Sequence, residues 1–146
     1  MNDTVTQKIP HRPPFLFVDK VLERREDGLV AEHLWRADSA FYAGHYPGNP
    51  LTPGVLLCES VFQAAAVFLA DKMPAGEKTV PVLGRIHGAK FKNMVRPGAV
   101  TTIEVKLGEV SQNKFFTLHG IVRQDGKLVL SVDFTVAMLA EENPQS

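Results

Sequence analysis

Two ionisable side chains stand out by their settings. His45 lies in GHYPGNPLTPG, residues 44–54, a loop holding three glycines and three prolines. Proline fixes φ and glycine admits backbone angles closed to other residues, so such a loop can aim one side chain. Glu59 follows fourteen residues later in VLLCESVFQ, among Val, Leu, Cys and Phe. A neutral imidazole accepts a proton near neutrality, while a carboxyl in apolar surroundings is expected to have a raised pKa and keep its proton. Together with a place for a developing oxyanion, these groups can abstract a proton beside a carbonyl and expel a leaving group. The expected oxyanion donors are the backbone N–H groups of Gly54 and Val55, unpaired at a helix start and at the positive end of its dipole. Gln63, one turn beyond Glu59, shares its face and can orient it.

Taken singly, each residue has a plainer reading. A buried Glu is more often a hydrogen-bonding partner than a catalyst, and a loop His is more often incidental. Their conjunction with the glycine–proline loop and the helix start is what points to chemistry. A loop His and a helix Glu of one chain need not meet, and a dimer interface can complete the pair.

Positioning these groups requires a helix and something to bury it. Gly54–Ala70 has the length and composition of a helix whose polar side chains are confined to Glu59, Ser60 and Gln63, and Pro53 suits its first turn. A helix apolar nearly all round is buried. Extended runs at 15–23 and 29–35 flank a turn ending in Asp27-Gly28, and further strands are expected at 82–91, 100–110, 114–124 and 127–139. The last alternates cleanly, with Leu128, Leu130, Val132, Phe134, Val136 and Met138 opposite Ser131, Asp133 and Thr135. Asp125-Gly126 marks the hairpin turn before it. Asp38 or Ser39 can cap a short helical turn ending at Ala43. The prolines of residues 10–14 stiffen the opening segment, 72–78 reads as the loop leaving the helix, and 141–146 is a polar tail. One buried helix with a mostly antiparallel sheet is an α+β architecture, the sheet curling round the helix and a second subunit completing its cover.

At 146 residues, the chain suits a single domain with one core, spanning 1–146. A formal net charge of zero argues against a general nucleic-acid or membrane-surface binder. The one cysteine, Cys58, has no partner in the chain for a disulfide, which favours a reducing compartment. The first eight residues are polar and lack the apolar run of a secretory signal, so a cytoplasmic location is expected. Cys58 adjoins Glu59 but points about 100° away on a helix, among neighbours that would raise a thiol pKa; core packing is its expected role. His11 is expected to serve the opening segment structurally. His33, His87 and His119 show no ligand spacing, so no metal site is expected.

The stretch GHYPGNPLTPGVLLCESVFQ resembles the signature of the (3R)-hydroxyacyl-acyl carrier protein dehydratases of bacterial fatty acid synthesis, the FabZ type. Residues 9–19, IPHRPPFLFVD, are similar to that family's opening, and AKFK at 89–92 and RPG at 96–98 match later positions. The resemblance runs in order along nearly the whole chain. It implies the hotdog fold, a curved antiparallel sheet round a central helix, assembled as dimers or as three dimers in a hexamer. It implies an active site between protomers, with His45 of one as base, Glu59 of the other as acid, and the N–H of Gly54, with Val55, on the thioester carbonyl. It implies no metal or redox cofactor, the substrate arriving on the phosphopantetheine arm of acyl carrier protein. Thr52 stands where the family usually has Met, Ser60 for Ala, Tyr46 for Phe, and His87-Gly88 for an acidic or polar pair. None replaces an implied catalytic group; they bear on the acyl-chain tunnel and substrate range.

Residues 78–103 contain no acid but include Lys78, Arg85, Lys90, Lys92 and Arg96. Acyl carrier proteins are acidic, so Arg85, Lys90, Lys92 and Arg96 are candidates for a docking surface, although an ordinary solvated strand edge explains them as well. Three functions remain open on sequence: a dehydratase, a hotdog thioesterase, and a specialised paralogue or acyl-thioester binder without turnover. A saturated acyl thioester separates the first two, since only a thioesterase releases free thiol from it.

Overall fold

A computed structural model describes residues 3–73 and 79–140. The elements run α1 (Asp3–Lys8), β1 (Lys20–Arg25), β2 (Gly28–Leu34), a 3-10 turn (Ala40–Ala43), α2 (Gly54–Ala70), β3 (Thr79–Phe91), β4 (Val100–Ser111), β5 (Phe115–Gln124) and β6 (Lys127–Ala140). The strands form one sheet in the order β1-β2-β4-β5-β6-β3, and every neighbouring pair is antiparallel.

The expected helix forms over Gly54–Ala70, and it packs against β2, β3, β4, β5 and β6. Contact with so many strands of one sheet requires that sheet to curl, the α+β architecture expected. From Ala64 to Leu69 every residue of α2 is buried, which accounts for the apolar run without any need for a membrane. No helix among the described residues is long and apolar enough to cross a bilayer. Gly120 on β5 lets the helix come close. A Cβ there would sit 2.1 Å from Val61 Cγ1, so any side chain would push helix and sheet apart.

In β6 Leu130, Val132, Phe134, Val136 and Met138 are buried as the alternation requires, but Leu128 is half-buried and Val129 is buried in its stead, where the pairing with β5 slips register. The β5–β6 hairpin turns at Asp125 (φ 51°) and Gly126 (φ 79°), both left-handed, matching the twist of the flanking strands. The 3-10 turn follows Ser39, whose side chain makes no capping bond.

Two expectations are corrected and one element is new. The first strand begins at Lys20 rather than 15, because the Phe17 amide bonds to the Gln63 side chain instead of a neighbouring strand. In its hairpin Arg25 already pairs with Gly28, so Glu26 and Asp27 make the turn. The opening polar residues include a helix, α1, which docks through Val5, followed one turn later by Ile9; both are buried. Residues 74–78 of the loop leaving α2, including Lys78, and the tail at 141–146 lie outside the described residues.

Among the described strands β3 pairs with β6 alone, at the sheet's edge, and it leaves Val82, Leu83, Ile86 and Phe91 exposed. That edge borders the site.

Candidate active site

The loop before α2 is tied down at several points. Tyr46 (φ 60°) and Gly48 (φ 83°) take left-handed backbone angles, and the Asn49 amide closes the turn onto the Tyr46 carbonyl at 2.9 Å. Arg96 Nη1 donates to Asn49 Oδ1 at 2.6 Å. The Thr52 amide donates to the Val95 carbonyl at 2.9 Å, and the Thr52 hydroxyl bonds the Tyr42 hydroxyl at 2.6 Å. Within this frame His45 Nδ1 lies 2.8 Å from the Leu51 carbonyl oxygen. A carbonyl can only accept, so Nδ1 carries the proton. In the neutral ring the lone pair is therefore on Nε2, which has no partner among the described residues. The Tyr46 ring flanks the imidazole at 4.6 Å.

At the head of α2 the Pro53 carbonyl accepts from the Leu56 and Leu57 amides. The Gly54 and Val55 amides find no acceptor among the described residues, as expected of a helix start. Glycine at 54 has a local cause: a Cβ would approach the Phe91 ring to 2.9 Å.

Glu59 is held by Gln63. Gln63 Nε2 donates to Glu59 Oε2 at 3.0 Å and to the Phe15 carbonyl at 3.2 Å, while its Oε1 accepts the Phe17 amide at 2.8 Å. Gln63 itself is fully buried. The opening segment and α2 are thereby joined through one side chain. His11 also reaches the site, with Nε2 3.7 Å from Glu59 Oε2, and its Nδ1 is buried without a partner. An opening-segment histidine beside the carboxylate was not evident in the sequence, because no periodicity links positions 11 and 59. Its place within the stiff Pro10–Pro14 segment is the available signal.

Glu59 is less enclosed than its apolar neighbours in sequence suggest: its side chain is 23% exposed. It opens onto a cavity of about 300 Å³, lined also by His11, Phe62, Pro81, Leu83 and Val136. His45 does not line that cavity. Val55, at the head of α2, is 74% exposed, whereas Phe62, one turn from Glu59, is half-buried with its ring on Phe134 of β6 at 4.9 Å. Among the described contacts His45 and Glu59 share neither a hydrogen bond nor this cavity.

The remaining sequence landmarks have local explanations. Ser60 is buried and donates to the Leu57 carbonyl at 2.7 Å, so its hydroxyl is satisfied within the helix. Cys58 is buried, and desolvation, then the neighbouring Glu59 charge, push its thiol pKa up, in keeping with a packing role. Among the described residues no group of three or more His, Cys, Asp or Glu is disposed to hold a metal ion.

Residues 9–133 match the FabA-like domain family. The 3-hydroxyacyl-[acyl-carrier-protein] dehydratase FabZ of Pseudothermotoga lettingae is 36% identical over 140 residues, covering 96% of this chain and 97% of that one. The chain belongs to the FabZ dehydratase family. The FabZ of Oenococcus oeni is 38% identical, covering 91% of this chain and 96% of its own. In structure, this FabZ-family chain superposes on a chain of the dehydratase heterocomplex ApeI:P from Xenorhabdus doucetiae with a TM-score of 0.77. The match covers 97% of this chain and 92% of that one at 16% identity, and establishes the hotdog fold.

On this FabZ-family chain, Arg85, Lys90 and Lys92 are exposed along and just after β3, whereas Arg96 is engaged with the loop that carries His45. Of the other histidines, His33 pairs with Asp19 at 2.8 Å, His119 with Asp133 at 2.7 Å, and His87 with the Thr135 hydroxyl at 2.7 Å.

Proposed function

We propose that the protein dehydrates (3R)-hydroxyacyl thioesters on acyl carrier protein to trans-2-enoyl thioesters in fatty acid synthesis. His45 Nε2 takes a proton from C2. The electron pair left behind forms the C2–C3 double bond as the C3–O bond breaks, and Glu59 protonates the departing hydroxyl, which leaves as water. The Gly54 amide, with that of Val55, holds the thioester carbonyl oxygen while negative charge gathers on it. Glu59 must then regain a proton and His45 lose one, so the cycle is balanced with water as the sole by-product. No metal or redox cofactor is required.

The observation that carries this reading is the bond from His45 Nδ1 to the Leu51 carbonyl, which leaves the opposite nitrogen free to act as base. Exposed Val55 at the head of α2, the partly exposed Glu59 and the exposed β3 edge support a homodimer in which one protomer's His45 meets its partner's Glu59. A trimer of such dimers is compatible with the same interface. Arg85, Lys90, Lys92 and Arg96, the last also bonded to Asn49, form the proposed docking surface for the acidic carrier, and the setting is the cytoplasm.

Turnover by the parent is to be compared with His45→Ala and Glu59→Gln, each expected to lose at least ~10²-fold. A near-parental rate in either variant refutes its role. Thiol release from a saturated acyl thioester, with no enoyl product from the hydroxyacyl one, favours a thioesterase instead.

A further inference from the structure

We propose that the hydroxyl pair of Tyr42 and Thr52 positions His45, acting through the peptide that joins Leu51 to Thr52. The inference rests on His45 serving as the base.

That one peptide is held at both ends. Its carbonyl, on Leu51, accepts from His45 Nδ1 at 2.8 Å, and its amide, on Thr52, donates to the Val95 carbonyl at 2.9 Å. A peptide is planar, so rotation of the Thr52 amide carries the Leu51 carbonyl with it. The main-chain bond to Val95 leaves one freedom, a tilt about the line joining the two anchors. The Thr52 side chain removes it. Its hydroxyl lies 2.6 Å from the Tyr42 hydroxyl, and both residues are buried, at 6% and 5% exposure. In such a setting water does not replace a lost partner, so either hydroxyl left alone seeks another arrangement.

Tyr42 comes from the 3-10 turn immediately ahead of the His45 loop, and Thr52 immediately precedes the Pro53 that opens α2. The bond therefore closes the loop across its base, with His45 inside the closed segment. Proline after Thr52 restricts the Thr52 backbone as well, which stiffens the joint between the imidazole's anchor and the helix start. This gives Thr52, the residue that departs from the family's usual Met, a reason to be polar. Methionine offers no hydroxyl for Tyr42. Tyr42 and Thr52 touch no reacting atom; they act through the Leu51 carbonyl.

The test combines nitrogen NMR of the His45 ring, which reports the ring nitrogen carrying the proton, with turnover of a (3R)-hydroxyacyl thioester. In the parent the proton is expected on Nδ1. Tyr42→Phe and Thr52→Val should each mix the two tautomers and lower kcat about tenfold, the size of one hydrogen bond, with KM nearly unchanged. The double variant should lose no more than the worse single, since both break the same bond. Thr52→Ser should restore both readouts. Parental tautomers in both single variants overturn the proposal, as does a parental kcat in both. Should Thr52→Val fail to fold, Tyr42→Phe, which removes one oxygen only, decides alone. If the parent itself shows no dehydration, the assigned function fails, and the tautomer measurement still judges the clamp.

Discussion

Gln63 holds Glu59 from one helical turn away, its Nε2 donating to Glu59 Oε2 at 3.0 Å while its Oε1 accepts the Phe17 amide at 2.8 Å. Because Gln63 is fully buried, one amide both aims the proposed acid and fastens the opening segment to the helix. Gln63→Leu leaves the Phe17 amide without its partner. It should cost about 1–3 kcal/mol of stability, the penalty for stranding a buried polar group, and lower turnover as Glu59 loses its guide. Urea denaturation and steady-state rates on one preparation check both effects. Parental stability would show that the amide finds another acceptor.

The separation of His45 from the cavity of Glu59 predicts complementation. In a heterodimer of His45→Ala with Glu59→Gln, one of the two shared sites regains an intact His and Glu, and the other loses both. Random reassociation makes half the dimers mixed, so the mixture should recover about a quarter of parental activity. Two inactive preparations that stay inactive after subunit exchange would place both groups within one chain.

His11 faces Glu59 at 3.7 Å and lines the same cavity. The ring stands just beyond hydrogen-bond length, so a small side-chain shift brings an N–H onto the carboxyl as negative charge gathers there. His11→Leu should reduce kcat about threefold to tenfold, the range for one hydrogen bond, while His11→Gln, which keeps an N–H donor, should retain most of it. Equal rates in both variants would reduce His11 to a packing role.

Asp19 carries a pH dependence of stability. Burial pushes its carboxyl up, but the bonds from His33 and the Leu34 amide outweigh that effect and leave it below the ordinary value of 3.8. A carboxyl depressed in the folded state contributes stability above its unfolded pKa and loses it as pH falls through the folded one. Urea midpoints should therefore fall on acidification below about pH 4, and Asp19→Asn should flatten that part of the profile. An equally steep acid limb in the variant would assign the effect to other carboxyls.

Sequence made some of this legible for identifiable reasons. The bounds of α2 follow from an apolar run between Pro53 and a polar loop, and β6 follows from strict alternation; both are local signals. The contacts that complete the site are not local. His11 meets Glu59, and Phe15 and Phe17 meet Gln63, across more than forty residues, where periodicity leaves no trace. Thr52 finds its partner in Tyr42, which no pattern in the sequence links to it. The enclosure expected for Glu59 was overstated for the opposite reason. Apolar neighbours along a helix point in every direction, so those beside Glu59 in sequence need not enclose it, and its own side opens onto a cavity instead of a packed wall.

The β3 strand carries a further consequence. It presents one unpaired edge over 13 residues, with Val82, Leu83, Ile86 and Phe91 uncovered. Such an edge invites addition of any other strand. Its register, however, slips between Leu83 and Arg85 and again between Ile86 and Gly88, and Arg85, Lys90 and Lys92 add positive charge along and beyond it. Irregular spacing and charge discourage indiscriminate stacking while leaving room for one matching surface. On the proposed dimer, a version engineered to stay monomeric would need more than a disrupted contact: its naked edge would have to be made soluble first.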